Sequence, residues 1–172
     1  MPALKVQIGN SRKRGVSRRE FISAAVAAGA LAGSPRALTQ QAGAIAGFDH
    51  VALPMQNTEQ MLAFYRSLGL QVVEEKTTCS VYIGNQMIHF HKPAHWQDPA
   101  FTLRAPAARP PCGDLCFVWD GTPESLKTML DHVGAKVIVG PVPRQGARKK
   151  ASSSVYVRDP DGNLLEFMIY PS

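Results

Sequence analysis

The feature that most constrains this chain is an internal repeat. Phe48-Asp49-His50-Val51-Ala52-Leu53 alternates as a strand does, and Asp114-Leu115-Cys116-Phe117-Val118-Trp119 reads the same way. Each strand leads into a helix. Asn57 is placed to cap the first, with Gln60 as its capping-box partner, and Met61, Leu62, Tyr65 and Leu68 fall at helical spacing. Thr122 caps the second with Pro123 at its first position, and Leu126, Met129, Leu130 and Val133 line one face. Gly69 stops one helix 19 residues past His50, and Gly134 stops the other 20 past Asp114. Leu70-Gln71-Val72-Val73 then answers Ala135-Lys136-Val137-Ile138, and Ser80-Val81-Tyr82-Ile83 answers Ser154-Val155-Tyr156-Val157. Each half closes on a hairpin, through Gly84-Asn85 into Met87 to His91, and through Asp159 to Asn163 into Leu164 to Ile169. The halves are therefore two βαβββ units, and a repeat of this size predicts a pseudo-symmetric α+β fold of two packed copies. Between them, Pro93, Pro99, Pro106, Pro110 and Pro111 predict a linker over 93–111, and PVPRQGARKK predicts a basic loop.

The repeat appears only when residues 1–44 are set aside. Ser17-Arg18-Arg19-Glu20-Phe21-Ile22 precedes the uncharged run SAAVAAGALAG, and Ala42-Gly43-Ala44 and Ala44-Ile45-Ala46 both offer small-residue cleavage sites. These parts resemble a Tat-type export signal. The run falls short of the roughly 20 apolar residues that span a bilayer, so cleavage leaves no stable membrane insertion. The expected address is the periplasm of a Gram-negative bacterium, and export of a folded protein permits metal loading in the cytoplasm. The domain plan is a signal over 1–44 and a body over 45–172, with module one at 46–92 and module two at 112–171.

Setting the leader aside also removes the basic balance. The chain carries 19 Lys and Arg against 13 Asp and Glu, but residues 1–44 hold seven of the bases and one of the acids. Twelve of each remain in the body, which argues against a nucleic-acid partner. Three cysteines without regular spacing make neither a disulfide framework nor a Cys-x-x-Cys metal pair, and Cys116 reads as a small core hydrophobe.

Glu166 is the residue that turns the repeat toward function. It stands alone among Leu164, Leu165, Phe167, Met168 and Ile169, where a carboxylate is costly unless paired. The two halves match His50 with Asp114, and His91 with Glu166. His89 competes with His91, since residues two apart on a strand share a face. Two imidazoles and two carboxylates at related positions suit a divalent metal ion, namely Zn, Ni, Mn or Fe(II), with positions left open for water or substrate.

DHVAL, GDLCF, GPVPRQGA and VYVRDPDGNLLE on two βαβββ units resemble the vicinal oxygen chelate superfamily of glyoxalases, ring-cleaving dioxygenases and bleomycin-binding proteins. With GNQMIHFH they look most similar to glyoxalase-domain-containing protein 5 and its bacterial relatives. The resemblance covers roughly residues 46–170. It implies a curved mixed sheet around a metal site with the helices outside. It carries the metal ligands onto His50, His91, Asp114 and Glu166, with Asp114 either a ligand or a near neighbour. Glu166 becomes the candidate catalytic residue, able to move protons while partly detached from the metal. Arg144, Arg148 and Tyr156 are the substrate-binding candidates, although Tyr82 and Tyr156 read first as packing residues and Arg144, Arg148, Lys149 and Lys150 first as a solvated loop. His95 and Trp96 could rim the cavity, and His132 is expected to face solvent.

The function so implied is a metal-dependent glyoxalase-like lyase or isomerase. It would act on a small vicinal-oxygen substrate through Lewis-acid stabilisation of an enolate-like intermediate. Two alternatives stand beside it. One is an Fe(II) extradiol-type dioxygenase, built on two His and one carboxylate. The other is a drug-binding protein without catalysis, whose relatives lack the metal ligands. A homodimer is expected, and the two modules could pair within one chain or swap between chains.

Overall fold

The computed structural model describes residues 43–171. The export-signal reading of residues 1–44 falls almost wholly outside that range. No helix among the described residues is long and apolar enough to cross a membrane.

Module one runs β1 (His50–Pro54), α1 (Thr58–Ser67), β2 (Gln71–Glu74), β3 (Thr78–Ile83) and β4 (Gln86–His91). A one-turn helix, α2 (Pro93–Trp96), follows. Module two repeats the plan as β5 (Asp114–Val118), α3 (Pro123–His132), β6 (Val139–Gln145), β7 (Ala151–Arg158) and β8 (Leu164–Ile169). The expected α+β fold of two βαβββ modules is what forms, as two four-stranded sheets ordered β1-β4-β3-β2 and β5-β8-β7-β6. In each, the first strand lies parallel to the last and the remaining pairs are antiparallel. A crossover helix joins the first strand to the rest of each sheet, so α1 and α3 occupy equivalent places.

Side chains alternate across each sheet, and the two faces differ in chemistry. Cys79, Val81, Ile88 and Phe90 join Met61 and Tyr65 of α1 in the core, and Val155, Val157, Leu165 and Phe167 join Leu126 and Leu130 of α3. The opposite face of β3, β4, β7 and β8 carries Thr78, Ser80, His89, His91, Ser154, Tyr156 and Glu166. The fold thus buries one face of each sheet and arms the other.

Some expectations need correction. Asn57 occupies the N-cap of α1 but its side chain makes no cap bond; its amide donates to Asp161 Oδ1 at 2.9 Å instead. Thr122 caps α3 as expected, accepting from the Ser125 amide at 3.2 Å. The PVPRQ part of the supposed basic loop is strand, because β6 pairs with β7 from Val139 to Gln145, which leaves the loop at 146–150. The linker contains α2, pinned where the Trp96 indole donates to the Met55 carbonyl at 2.8 Å.

The turn Asp159 to Asn163 ties the modules together. Asp161 accepts from the Gln56 and Asn57 amides at 2.7 and 2.8 Å, at the N-terminus of α1, where the helix dipole favours a carboxylate. Asp159, buried, accepts from the Tyr65 hydroxyl at 3.0 Å, from Asn163 Nδ2 at 2.8 Å and from the Asn163 and Asp161 amides. Asn163 in turn accepts from the Cys112 and Gly113 amides at the entry to β5. Gly162 turns the chain at φ +92°, in the left-handed region that favours glycine.

Candidate functional site

Strand register decides which positions are equivalent. β1 pairs His50 with Met87, Ala52 with His89 and Pro54 with His91. β5 pairs Asp114 with Leu164, Cys116 with Glu166 and Val118 with Met168. With His50 matched to Asp114, the counterpart of Glu166 is therefore His89, and His91 corresponds to Met168. Matching the two halves by sequence alone had placed His91 opposite Glu166. Module one carries a second histidine of the same parity at the end of β4, and only the pairing tells which of the two matches Glu166.

His50 and His89 present the same nitrogen. His50 Nδ1 lies 2.6 Å from Asp49 Oδ1, and His89 Nδ1 lies 3.1 Å from the Ser80 hydroxyl. Both contacts occupy Nδ1 and leave Nε2 for a ligand, the arrangement in which a second group orients a metal-binding imidazole. Their ring centroids are 6.2 Å apart. Burial lowers the pKa of His89, reinforced by the charge of His50, so the ring is kept neutral and able to ligate.

His91 lies deeper. Its centroid is 5.3 Å from His89, 5.1 Å from His95 and 5.0 Å from Phe101, and His95 stacks on Phe101 at 4.0 Å. Burial, then the charges of His89 and His95, push its pKa down to about 4. A folded pKa below the unfolded value of about 6.5 means that protonation favours unfolding. The metal-free protein should thus lose stability as pH falls from 6.5 toward 4, and His91→Phe should flatten that slope. Urea midpoints at pH 7 and pH 5 for both proteins check it.

Module two holds the acids. Glu166 is half-buried, its Oε1 is out of water, and that oxygen has no hydrogen-bond partner among the described residues. Cys116 pairs with it from β5 and Tyr156 from β7. Cys116 is exposed on the Asp114 face rather than buried in the core. Partial desolvation of its sulfur and the charge of Glu166 push the thiol up to about 11. Its proximity was legible in the alternation, since residue 116 shares a face with residue 114. Asp49 and Ser80 carried no such signal, because their roles depend on side-chain contacts. Asp114 is exposed at the start of β5 and lines a cleft of about 450 Å³ with Arg144, Tyr156, Arg158 and Glu166. Tyr156 is no simple packer, since its hydroxyl accepts from Arg144 Nε at 2.9 Å. Tyr82 and His132 are exposed, and Trp96 is buried.

The sequence-predicted ligands thus fall into two half-sites, His50 with His89 or His91 on the first sheet and Asp114 with Glu166 on the second. Among the described residues of one chain, no group of three or more His, Cys, Asp or Glu is close enough to hold a single ion. The donor types nevertheless fit a divalent metal, with two imidazole nitrogens left free by their Nδ1 contacts and one buried carboxylate oxygen without a partner.

Comparison with known proteins agrees with this architecture. The model of the Glyoxalase/Bleomycin resistance protein/Dioxygenase superfamily matches residues 47–167. The chain is 33% identical over 128 residues to a glyoxalase domain-containing protein of Mycosarcoma maydis, covering 73% of this chain and 69% of that protein. It is 32% identical over 124 residues to a virulence protein of Salmonella typhimurium, covering 71% and 83%. A protein from the mobile metagenome of V. pseudocholerae superimposes with a TM-score of 0.67 at 30% identity, over 76% of this chain and 99% of that one. A lactoylglutathione lyase of Agrobacterium tumefaciens shares the fold at 23% identity, with a TM-score of 0.55 over 73% and 94%. This chain belongs to the Glyoxalase/Bleomycin resistance protein/Dioxygenase superfamily.

Proposed function

We propose that the protein is a divalent-metal-dependent, glyoxalase-like enzyme acting on a small vicinal-oxygen compound. The observation that carries this reading is the unpartnered, buried Oε1 of Glu166, a costly group in an apolar strand unless a cation or substrate completes it. His50, His89, Asp114 and Glu166 would hold the metal, with His91 the alternative to His89. The bound ion supplies a Lewis acid for two substrate oxygens. Asp49 and Ser80 fix the two imidazoles. Glu166 accepts a proton from the substrate carbon and returns it to the neighbouring one, and Tyr156 offers its hydroxyl hydrogen to a substrate oxygen, since Arg144 occupies a lone pair.

The half-sites are joined, in this proposal, across a homodimer, with module one of one protomer facing module two of its partner. Mixing two defective proteins tests it. His50→Ala and Glu166→Gln each damage both sites of their own dimer. A mixed dimer built across chains regains one of its two sites with His50 and Glu166 both intact, and random pairing makes half the dimers mixed, so co-refolded protein should recover about a quarter of the zinc binding of wild type. Recovery no greater than either parent alone would contradict the shared site. A lasting periplasmic address is likewise proposed; replacing Arg18 and Arg19 by Lys should hold the protein in the cytoplasm, read by cell fractionation.

A further inference from the structure

Arg144 and Arg148 stand at one cleft without acidic partners. The ion pairs among the described residues are His50–Asp49, Lys92–Glu74 and Lys127–Asp131, and neither arginine is in them. Arg144 and Arg148 line a cleft of about 410 Å³ with Glu166, Cys116, Gly146 and Tyr170, a size suited to a small ligand. Both guanidiniums are positioned rather than loose. Arg144 donates Nε to the Tyr156 hydroxyl at 2.9 Å and Nη1 to its neighbour's carbonyl, that of Pro143, at 3.0 Å. Arg148 lies over the Tyr170 ring, 4.7 Å from the centroid. Gly146, between them, sits so close to Met168 and Tyr170 that a Cβ there would collide with both. The loop is therefore seated on β8, and Arg144 at the end of β6 and Arg148 in the loop flank the mouth above Glu166.

We infer that this cleft is an anion subsite, in which Arg144 and Arg148 take a carboxylate or phosphoryl group of the substrate. The inference rests on the enzymatic reading above and names its substrate class, an organic acid or phosphate ester. A guanidinium presents five N–H donors, and Arg144 spends two, which leaves a fork suited to an oxyanion. The opposing charges are Glu166 in this cleft and Asp114 in the adjoining one, where Arg158 adds a third cation. A cation on the two carboxylates shifts the balance further toward an anionic substrate.

The test titrates the full-length protein, stripped of metal with a chelator, with methylphosphonate and with propionate, followed by NMR of the probe. Wild type should bind at least one of them, and the order of affinities tells a phosphoryl from a carboxylate ligand. Arg144→Gln with Arg148→Gln should weaken binding at least tenfold, and Arg144→Lys, which keeps the charge but loses the fork, should fall between. No binding of either probe by wild type, or equal binding by the double variant, overturns the subsite. Zinc titration separates the two ideas. Arginine-dependent anion binding in a protein that binds no zinc would leave the subsite standing and remove the metal-dependent reaction.

Discussion

Asp159→Ala is expected to lower the unfolding free energy by more than about 3 kcal/mol, since hydrogen bonds to a charged group contribute about 1.5–3 kcal/mol each. The carboxylate is buried and takes four donors, from Tyr65, Asn163 twice and Asp161. Burial raises its pKa more than the donors from Asn163 and Tyr65 lower it, so its charge is held at a desolvation cost that its partners offset only in part. Removing it strands the Tyr65 hydroxyl and the Asn163 amide in the interior, on opposite sides of the contact between modules. Tyr65→Phe removes one of these bonds and should cost about 1.5–3 kcal/mol. Asp161→Ala, whose carboxylate is less deeply placed, should fall between. Urea unfolding of the three variants measures the series, and a loss for Asp159→Ala below that for Tyr65→Phe would refute the clamp.

Glu166→Gln should lower zinc affinity on the order of 100-fold or more. The amide keeps the shape but removes the charge, and even groups that merely orient a ligand typically cost about 10–100-fold when lost. The same range is expected for Asp49→Ala, through the freed His50 ring, and for Ser80→Ala through His89. His89→Ala should harm zinc binding more than His91→Ala, in keeping with register, although His91 is the more deeply buried. Isothermal titration of each variant with zinc gives the order. Equal losses at 89 and 91 would leave the register argument without force.

Much of this was legible in the chain because alternation and helical spacing are local signals. The two βαβββ units, the stops at Gly69 and Gly134 and the cap at Thr122 all follow from residues within a turn of one another. Register was not legible. Whether His89 or His91 stands opposite Glu166 depends on how β1 and β4 slide past each other, and the units differ in spacing between first and last strand. The role of Asn57 was misread for a related reason. A local cap to Gln60 and a distant bond to Asp161 compete for one side chain, and the long-range partner wins. Cys116 was misjudged by composition, since an apolar run suggests a core while β5 exposes alternate residues. The strand character of Pro141 to Gln145 was masked by its prolines, which an edge strand such as β6 tolerates.

The most direct test of the whole account is the metal content of the protein purified without added metal or chelator from its native host, measured by elemental analysis beside zinc titration of the stripped chain. The account predicts close to one divalent ion per chain, lost in both His50→Ala and Glu166→Gln while each variant stays folded by circular dichroism. Native protein free of zinc, nickel, manganese and iron, together with a stripped chain that takes up none on titration, would contradict it.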